Sequence, residues 1–252
     1  MLIQPILDTL NRLKLLGMAL AFSEQMTQTA AQELAFEERL TLLLEREQLH
    51  RENRRLTRLL QLAQLKERAV IEDIDYRSRR GLDRSQLASL ASCEWIRAGQ
   101  SLLIQGATGC GKTYLACALA HQACRQGLSA WYVRAPRLFE ELALCHADGS
   151  FRKRLAAIAR IQLLVIDDFA IAPIGARERS DLLELLDDRG GLRATLITSQ
   201  LPIEHWHEYI GDPTLADAIL DRLVHRSHRI HLQGKESMRG RKTPATKDAV
   251  HD

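Results

Sequence analysis

The sequence predicts an α/β protein: a three-layer domain with a parallel sheet between helices, preceded by a small all-helical N-terminal domain. Three observations carry this expectation. Residues 1–69 contain a single glycine, Gly17, and a single proline, Pro5, while leucines recur at helical spacing. From Gly99 onward, short apolar runs alternate with longer helical patterns. One of those apolar runs ends in a glycine-rich loop that leads directly into a helix.

Composition sets the frame for these elements. The chain has 252 residues, 46% hydrophobic and 27% charged, enough to bury a substantial core and unlike a disordered or low-complexity chain. At about 150 residues per domain, that length suits a small domain joined to a medium one. No apolar run reaches the roughly 18 residues of a membrane span, and the start lacks a basic region followed by an apolar core. A soluble, cytoplasmic protein without a membrane partner is the expectation. Five cysteines without dense spacing read as reduced thiols.

The helical domain is expected over residues 1–70, with leucine sets such as Leu7/Leu10/Leu13, Leu40/Leu43/Leu44 and Leu56/Leu59/Leu60. Opposite the last set, Arg51, Arg54, Arg55 and Arg58 share a helix face. Two readings stand: a solvated face paired with glutamates such as Glu47 and Glu52, or a stripe for phosphate or a partner. Residues 71–98 read as a polar connector with a short helix. Within 99–233, strands are expected at Ser101–Gln105, Ala130–Val133, Gln162–Ile166, Ala194–Thr198 and Arg229–Leu232. Helices are expected near Lys112–Arg125, Pro136–Cys145, Phe151–Arg160, Arg177–Arg189, Ile203–Tyr209 and Leu215–His225. Continuous apolar strands of this kind suit a sheet covered on both faces. The last thirty-one residues carry 8 Lys and Arg against 3 acids. The tail 234–252 therefore reads either as a basic arm for a polyanion or as a solvated tail.

The loop itself carries the chemistry. Gly106, Ala107, Thr108, Gly109, Cys110, Gly111, Lys112 and Thr113 match G-x-x-x-x-G-K-[ST] between a strand and a helix, with Tyr114 next in line. Small residues let backbone N–H groups wrap a phosphate, and the helix N-terminus adds positive dipole. Lys112 should reach the β- and γ-phosphates of ATP, and the Thr113 hydroxyl should ligate Mg²⁺. Cys110, Cys117 and Cys124, seven apart, read as buried packing. A triphosphatase also needs a carboxylate at the end of a neighbouring strand, and Leu163-Leu-Val-Ile-Asp167-Asp168 supplies it. Asp167 is the metal-side carboxylate and Asp168 the group that orients or activates water. Ser199 and Gln200 end a third strand, where they could sense the γ-phosphate or help position water.

These motifs, with Ile-Thr-Ser-Gln-Leu-Pro and the run from Gly211 through Asp221-Arg222-Leu to His225, resemble the IstB transposition helper proteins. Those are relatives of the DnaC replicative-helicase loaders among the AAA+ ATPases. The resemblance spans about residues 55–240. It implies an AAA+ domain, ATP-dependent self-assembly into a homo-oligomer, duplex DNA as the substrate surface, and an integrase-type transposase as partner. It also implies that Arg222 reaches into a neighbouring subunit's nucleotide. Asp168 stands where many AAA+ enzymes carry Glu, and its shorter reach bears on the speed of hydrolysis.

The family's helical insertion falls after the second strand. There Arg134, Arg137, Arg152, Lys153, Arg154 and Arg160 form the candidate DNA-phosphate track. No aromatic interleaving suggests base stacking, so binding through backbone and DNA shape is expected. His225, His228 and His231 lack a neighbouring carboxylate and read as ordinary surface histidines. A helicase loader and a small-molecule kinase are the alternative functions. The first would bind a hexameric helicase, and the second would carry its own acceptor pocket.

Overall fold

The computed structural model describes residues 3–28, 33–76 and 80–233. The basic tail expected at 234–252 lies outside the described residues. The chain divides into two compact units, Met1–Arg58 and Leu59–Asp252.

The first unit contains α1 (Ile3–Arg12), α2 (Leu16–Thr27) and most of α3 (Phe36–Ala63). No side chain caps the start of α2 from within, because Leu15 stands at its N-cap. Glu47, from the middle of α3, does so instead: its carboxylate accepts the Met18 N–H at 3.1 Å, at the positive end of the α2 dipole. Arg51 then donates to the other Glu47 oxygen at 2.7 Å, so this member of the arginine stripe is paired with a glutamate.

The second unit is built on a five-stranded parallel sheet in the order β2-β3-β4-β1-β5. The strands are β1 (Ser101–Gly106), β2 (Ala130–Arg134), β3 (Leu163–Phe169), β4 (Ala194–Ser199) and β5 (Ser227–Leu232). Two short helices, α4 (Arg84–Ala91) and α5 (Glu94–Arg97), lead into it. Helices α6 (Lys112–Arg125), α7 (Ala135–Ala147), α8 (Phe151–Ala159), α9 (Ala176–Arg189), α10 (Trp206–Ile210) and α11 (Pro213–Val224) follow among the strands. The central strands are buried along nearly their whole length, as the continuous apolar runs require. Leu138, Leu164, Ile166, Leu182, Ile197 and Ile219 lie in one core cluster under the helices.

All five expected strands and the six expected helical segments of this unit form, with small shifts at their ends. Helix α11 starts at Pro213 rather than Leu215, because Asp212 caps it by accepting the Leu215 N–H at 3.0 Å and Pro213 occupies its first turn. The segment expected as one helix at Ile203–Tyr209 is a 3₁₀ turn, Ile203–His205, followed by α10. One expectation changes more. The carboxylate strand β3 does not neighbour the phosphate-loop strand β1, since β4 is hydrogen-bonded between them. A side chain of β4 therefore takes part in the site. Among the described residues, no helix is long and apolar enough to cross a membrane.

Candidate functional site

The loop that follows β1 lies at the C-terminal edge of a parallel sheet, where strand ends leave backbone groups and helix N-termini free to meet a ligand. Its glycines are dictated by space. At Gly106, φ is +152°, and a Cβ would come within 2.3 Å of the Leu232 carbonyl on β5. Lys112 is buried at the first turn of α6, and its Nζ donates to the carbonyls of Gly106 at 2.7 Å and Ala107 at 2.9 Å. The cation thus bridges two carbonyls of its own loop.

Asp167 is fully buried at the end of β3 and accepts three hydroxyls. Thr113 Oγ1 lies 2.9 Å from Oδ2, Tyr132 OH donates to Oδ2 at 2.6 Å, and Thr198 Oγ1 donates to Oδ1. The metal-side pair expected from the sequence, Thr113 and Asp167, is therefore in contact. Burial, together with the adjacent Asp167 carboxylate, pushes the Tyr132 phenol well above its ordinary pKa, so it stays a donor. Tyr132 had no motif to mark it, and Thr198 lay inside Ile-Thr-Ser-Gln-Leu-Pro without a role assigned to it. Thr198 could have been found from strand alternation, since it shares a face with Gln200 and opposes Ser199.

Asp168 takes a different path from its neighbour. The register of β3 on β4 shifts between Ile166 and Phe169, and Asp168 has φ +56°. This bulge turns consecutive carboxylates to different surroundings. Asp167 goes inside, and Asp168 goes to the lining of the cleft, where Arg134 Nε holds it at 2.8 Å. Arg134, expected on the DNA track, is thus paired with a carboxylate of this cleft.

A cleft of about 650 Å³ opens over the loop. Its lining includes Thr108, Gly109, Gly111, Lys112, Thr113, Tyr114, Asp168 and Gln200. Thr108 and Gln200 meet across it at 2.6 Å. Ser199 does not reach the cleft: its hydroxyl donates to the Phe169 carbonyl at 2.9 Å and accepts the Leu201 N–H at 3.1 Å. Its side chain ties the C-terminal end of β3 to the segment just after β4, on the opposite face from Thr198. The far wall comes from the segment preceding the sheet, with Lys66, Glu67, Asp73, Asp75 and Arg80. The only sequence signal for this wall was the acidic run Glu72-Asp-Ile-Asp75 in the connector. Cys110, Cys117 and Cys124 are buried, and burial raises the thiols of Cys117 and Cys124 to about 11.

The remaining candidates lie away from this cleft lining. Arg222, on α11, pairs with Asp187 of α9, and its Nη1 donates to the Ala218 carbonyl at 2.8 Å. Arg137, Arg152, Lys153 and Arg160 are exposed. Arg154 instead packs over the Trp131 ring at 4.5 Å and pairs with Glu141 at 2.6 Å.

The family described as IstB-like ATP binding protein matches residues 8–246. The chain belongs to it. An insertion sequence ATP-binding protein of Sinorhizobium fredii is 51% identical over 239 residues, covering 95% of this chain and 97% of that protein. A Mycobacterium tuberculosis ATP-binding protein in an insertion sequence is 35% identical, covering 94% of each. Among solved structures, DnaI aligns with a TM-score of 0.56 at 23% identity, over 66% of this chain and 91% of that one. The DnaC helicase loader aligns with a TM-score of 0.50 at 18% identity, over 59% and 86%. These likenesses bear on the fold alone: the parallel-sheet α/β domain expected from the sequence is shared with both. The family's description as ATP binding is in keeping with a glycine-rich loop between a strand and a helix.

Proposed function

We propose that the chain is an ATP hydrolase that assembles with further copies of itself on duplex DNA and brings that DNA to an integrase-type transposase. The observation that carries the ATPase part is the contact of Thr113 with buried Asp167 beside the phosphate loop. The near-full-length relatives named for insertion sequences support the transposition part. They favour it over a small-molecule kinase. The DnaI and DnaC likenesses bear on fold alone and give the helicase-loader reading no separate weight.

The donor set fits Mg²⁺. Thr113 and Asp167 offer hard oxygen ligands, and no group of three or more His, Cys, Asp or Glu able to hold a metal exists among the described residues. Mg²⁺ characteristically takes few protein ligands and completes its shell with phosphate oxygens and water. Thr113 and Asp167 would hold it, and there it would offset charge on the β- and γ-phosphates. The loop N–H groups and Lys112 bind and orient the triphosphate. Asp168, with a half-buried carboxylate at the cleft, orients the attacking water and accepts its proton. Gln200, hydrogen-bonded to Thr108, lies where it can report the state of the γ-phosphate. Arg222 supplies a guanidinium to the neighbouring subunit's nucleotide, leaving Asp187 when subunits dock.

Complementation tests the shared site. Arg222→Ala keeps its own phosphate loop and Lys112→Ala keeps its arginine, so each alone lacks half of every composite site. Mixed, they should recover DNA-stimulated ATP hydrolysis. Arginine fingers contribute roughly 10³–10⁵ in rate, so partial recovery stands clear of background. Full activity of Arg222→Ala alone, or no recovery in mixtures of folded proteins that co-assemble, would refute action in trans.

A further inference from the structure

The nucleotide cleft contains a cation that belongs to no motif. Arg80 is 5% exposed and lines the cleft beside Gly111 and Lys112. Its Nη1 donates to the Cys110 carbonyl at 3.1 Å, and its Nη2 donates to the Asp75 carbonyl at 3.1 Å. Its own carbonyl accepts the Gln233 N–H at 2.8 Å, just beyond β5. One residue thereby joins the acidic wall, the phosphate loop and the end of an edge strand.

Two features separate this from an ordinary structural arginine. Among the described residues, the buried Nε of Arg80 has no hydrogen-bond partner. Buried polar groups are nearly all paired, so the guanidinium is held in place by what its two other nitrogens bind. The second feature is Gly111. It has φ +95°, and a Cβ there would lie 2.5 Å from Arg80 Nη1. The guanidinium therefore occupies the space that a side chain at this position would fill. The Cys110–Gly111 segment precedes the first amides of α6, which the phosphates must meet.

We propose that Arg80 is a positioning residue of the nucleotide site. It clamps the Cys110–Gly111 segment of the phosphate loop against the wall carrying Asp75, holding the loop in the conformation whose N–H groups converge on phosphate. The two carbonyl acceptors lie on different segments, and only a planar fork with separate donors spans both. The inference rests on the reading of this cleft as the ATP site.

Calorimetric titration of the full chain with ATP and with inorganic tripolyphosphate tests it, using Arg80→Gln and Arg80→Lys. Hydrogen bonds from a charged donor correspond to about 10- to 100-fold in affinity, and both variants should lose ATP binding by that factor. Tripolyphosphate binding should fall equally, because the clamp acts on the loop and not on the base. In steady-state hydrolysis KM should rise while kcat stays within about twofold, the split expected when loop order is lost before the chemical step. Wild-type affinity in Arg80→Gln would overturn the proposal. So would full rescue by Arg80→Lys, which would make bare charge sufficient, or a loss confined to ATP, which would assign Arg80 to the base. If Arg80→Gln does not fold, Arg80→Lys, which keeps the stem and the charge, carries the same comparison. A wild-type chain that binds neither ligand would defeat the nucleotide reading itself, whereas wild-type binding with an unaffected Arg80→Gln defeats the clamp alone.

Discussion

Replacing Tyr132 with phenylalanine removes one oxygen from the centre of the site and leaves the ring in place. The phenol donates at 2.6 Å to Asp167, a fully buried carboxylate whose other donors are the hydroxyls of Thr113 and Thr198. Hydrogen bonds to a charged group contribute about 1.5–3 kcal/mol to stability, and neutral ones about 0.5–1.5 kcal/mol. Tyr132→Phe should therefore destabilise by about 1.5–3 kcal/mol, which for a chain of this size is a fall in Tm of roughly 3–12 °C. Tyr209→Phe is the control, since its hydroxyl donates at 2.7 Å to the neutral carbonyl of Ala172. It should cost only about 0.5–1.5 kcal/mol. Urea unfolding followed by tryptophan fluorescence reads the right unit, because Trp95, Trp131 and Trp206 are all buried within Leu59–Asp252. A Tyr132→Phe cost no larger than that of Tyr209→Phe would refute the reasoning that Asp167 is a buried anion dependent on its hydroxyl donors.

Asp168→Asn should leave ATP affinity within about threefold while phosphate release falls at least 100-fold, the scale of a lost general base; a wild-type rate would assign water positioning elsewhere. Neutralising Arg152, Lys153 and Arg154 to glutamine should weaken binding to every duplex and flatten the salt dependence. Because Arg154 is engaged by Trp131 and Glu141, the slope should change by about 1.8, the value for two contacts rather than three. Glu47 should make the first unit acid-sensitive. Burial works to raise its pKa, but Arg51 and the backbone N–H groups of Met18 and Gly17 outweigh burial and hold the carboxyl below its ordinary value. Its contribution is therefore complete above the unfolded value of about 4.3 and is lost as pH falls through the folded one. Protection factors of the Leu16–Thr27 amides, taken against intrinsic exchange at each pH, should fall below about pH 4, and Glu47→Gln should abolish that fall; protection factors that do not change with pH would remove Glu47 as the cap of α2.

The sheet, the glycine-rich loop and the pair Thr113 and Asp167 were legible in the amino-acid sequence. These are local facts. A strand buried on both faces must be continuously apolar, and a loop that wraps phosphate must be glycine-rich and must run into a helix. The Thr113–Asp167 contact could be anticipated because both residues stand at the same edge of a parallel sheet. Other parts of the site depend on chain segments distant in sequence. The insertion of β4 between β1 and β3 brought Thr198 onto Asp167, and the bulge at Asp168 turned that carboxylate toward Arg134, a residue read from sequence as facing DNA. Ser199 left the site because alternation along β4 points it to the opposite face. Glu47 caps a helix from 29 residues away, and Arg80 reaches the phosphate loop across 30 residues. No periodicity or spacing encodes such contacts. They form because buried polar groups must find partners wherever the packed chain supplies them.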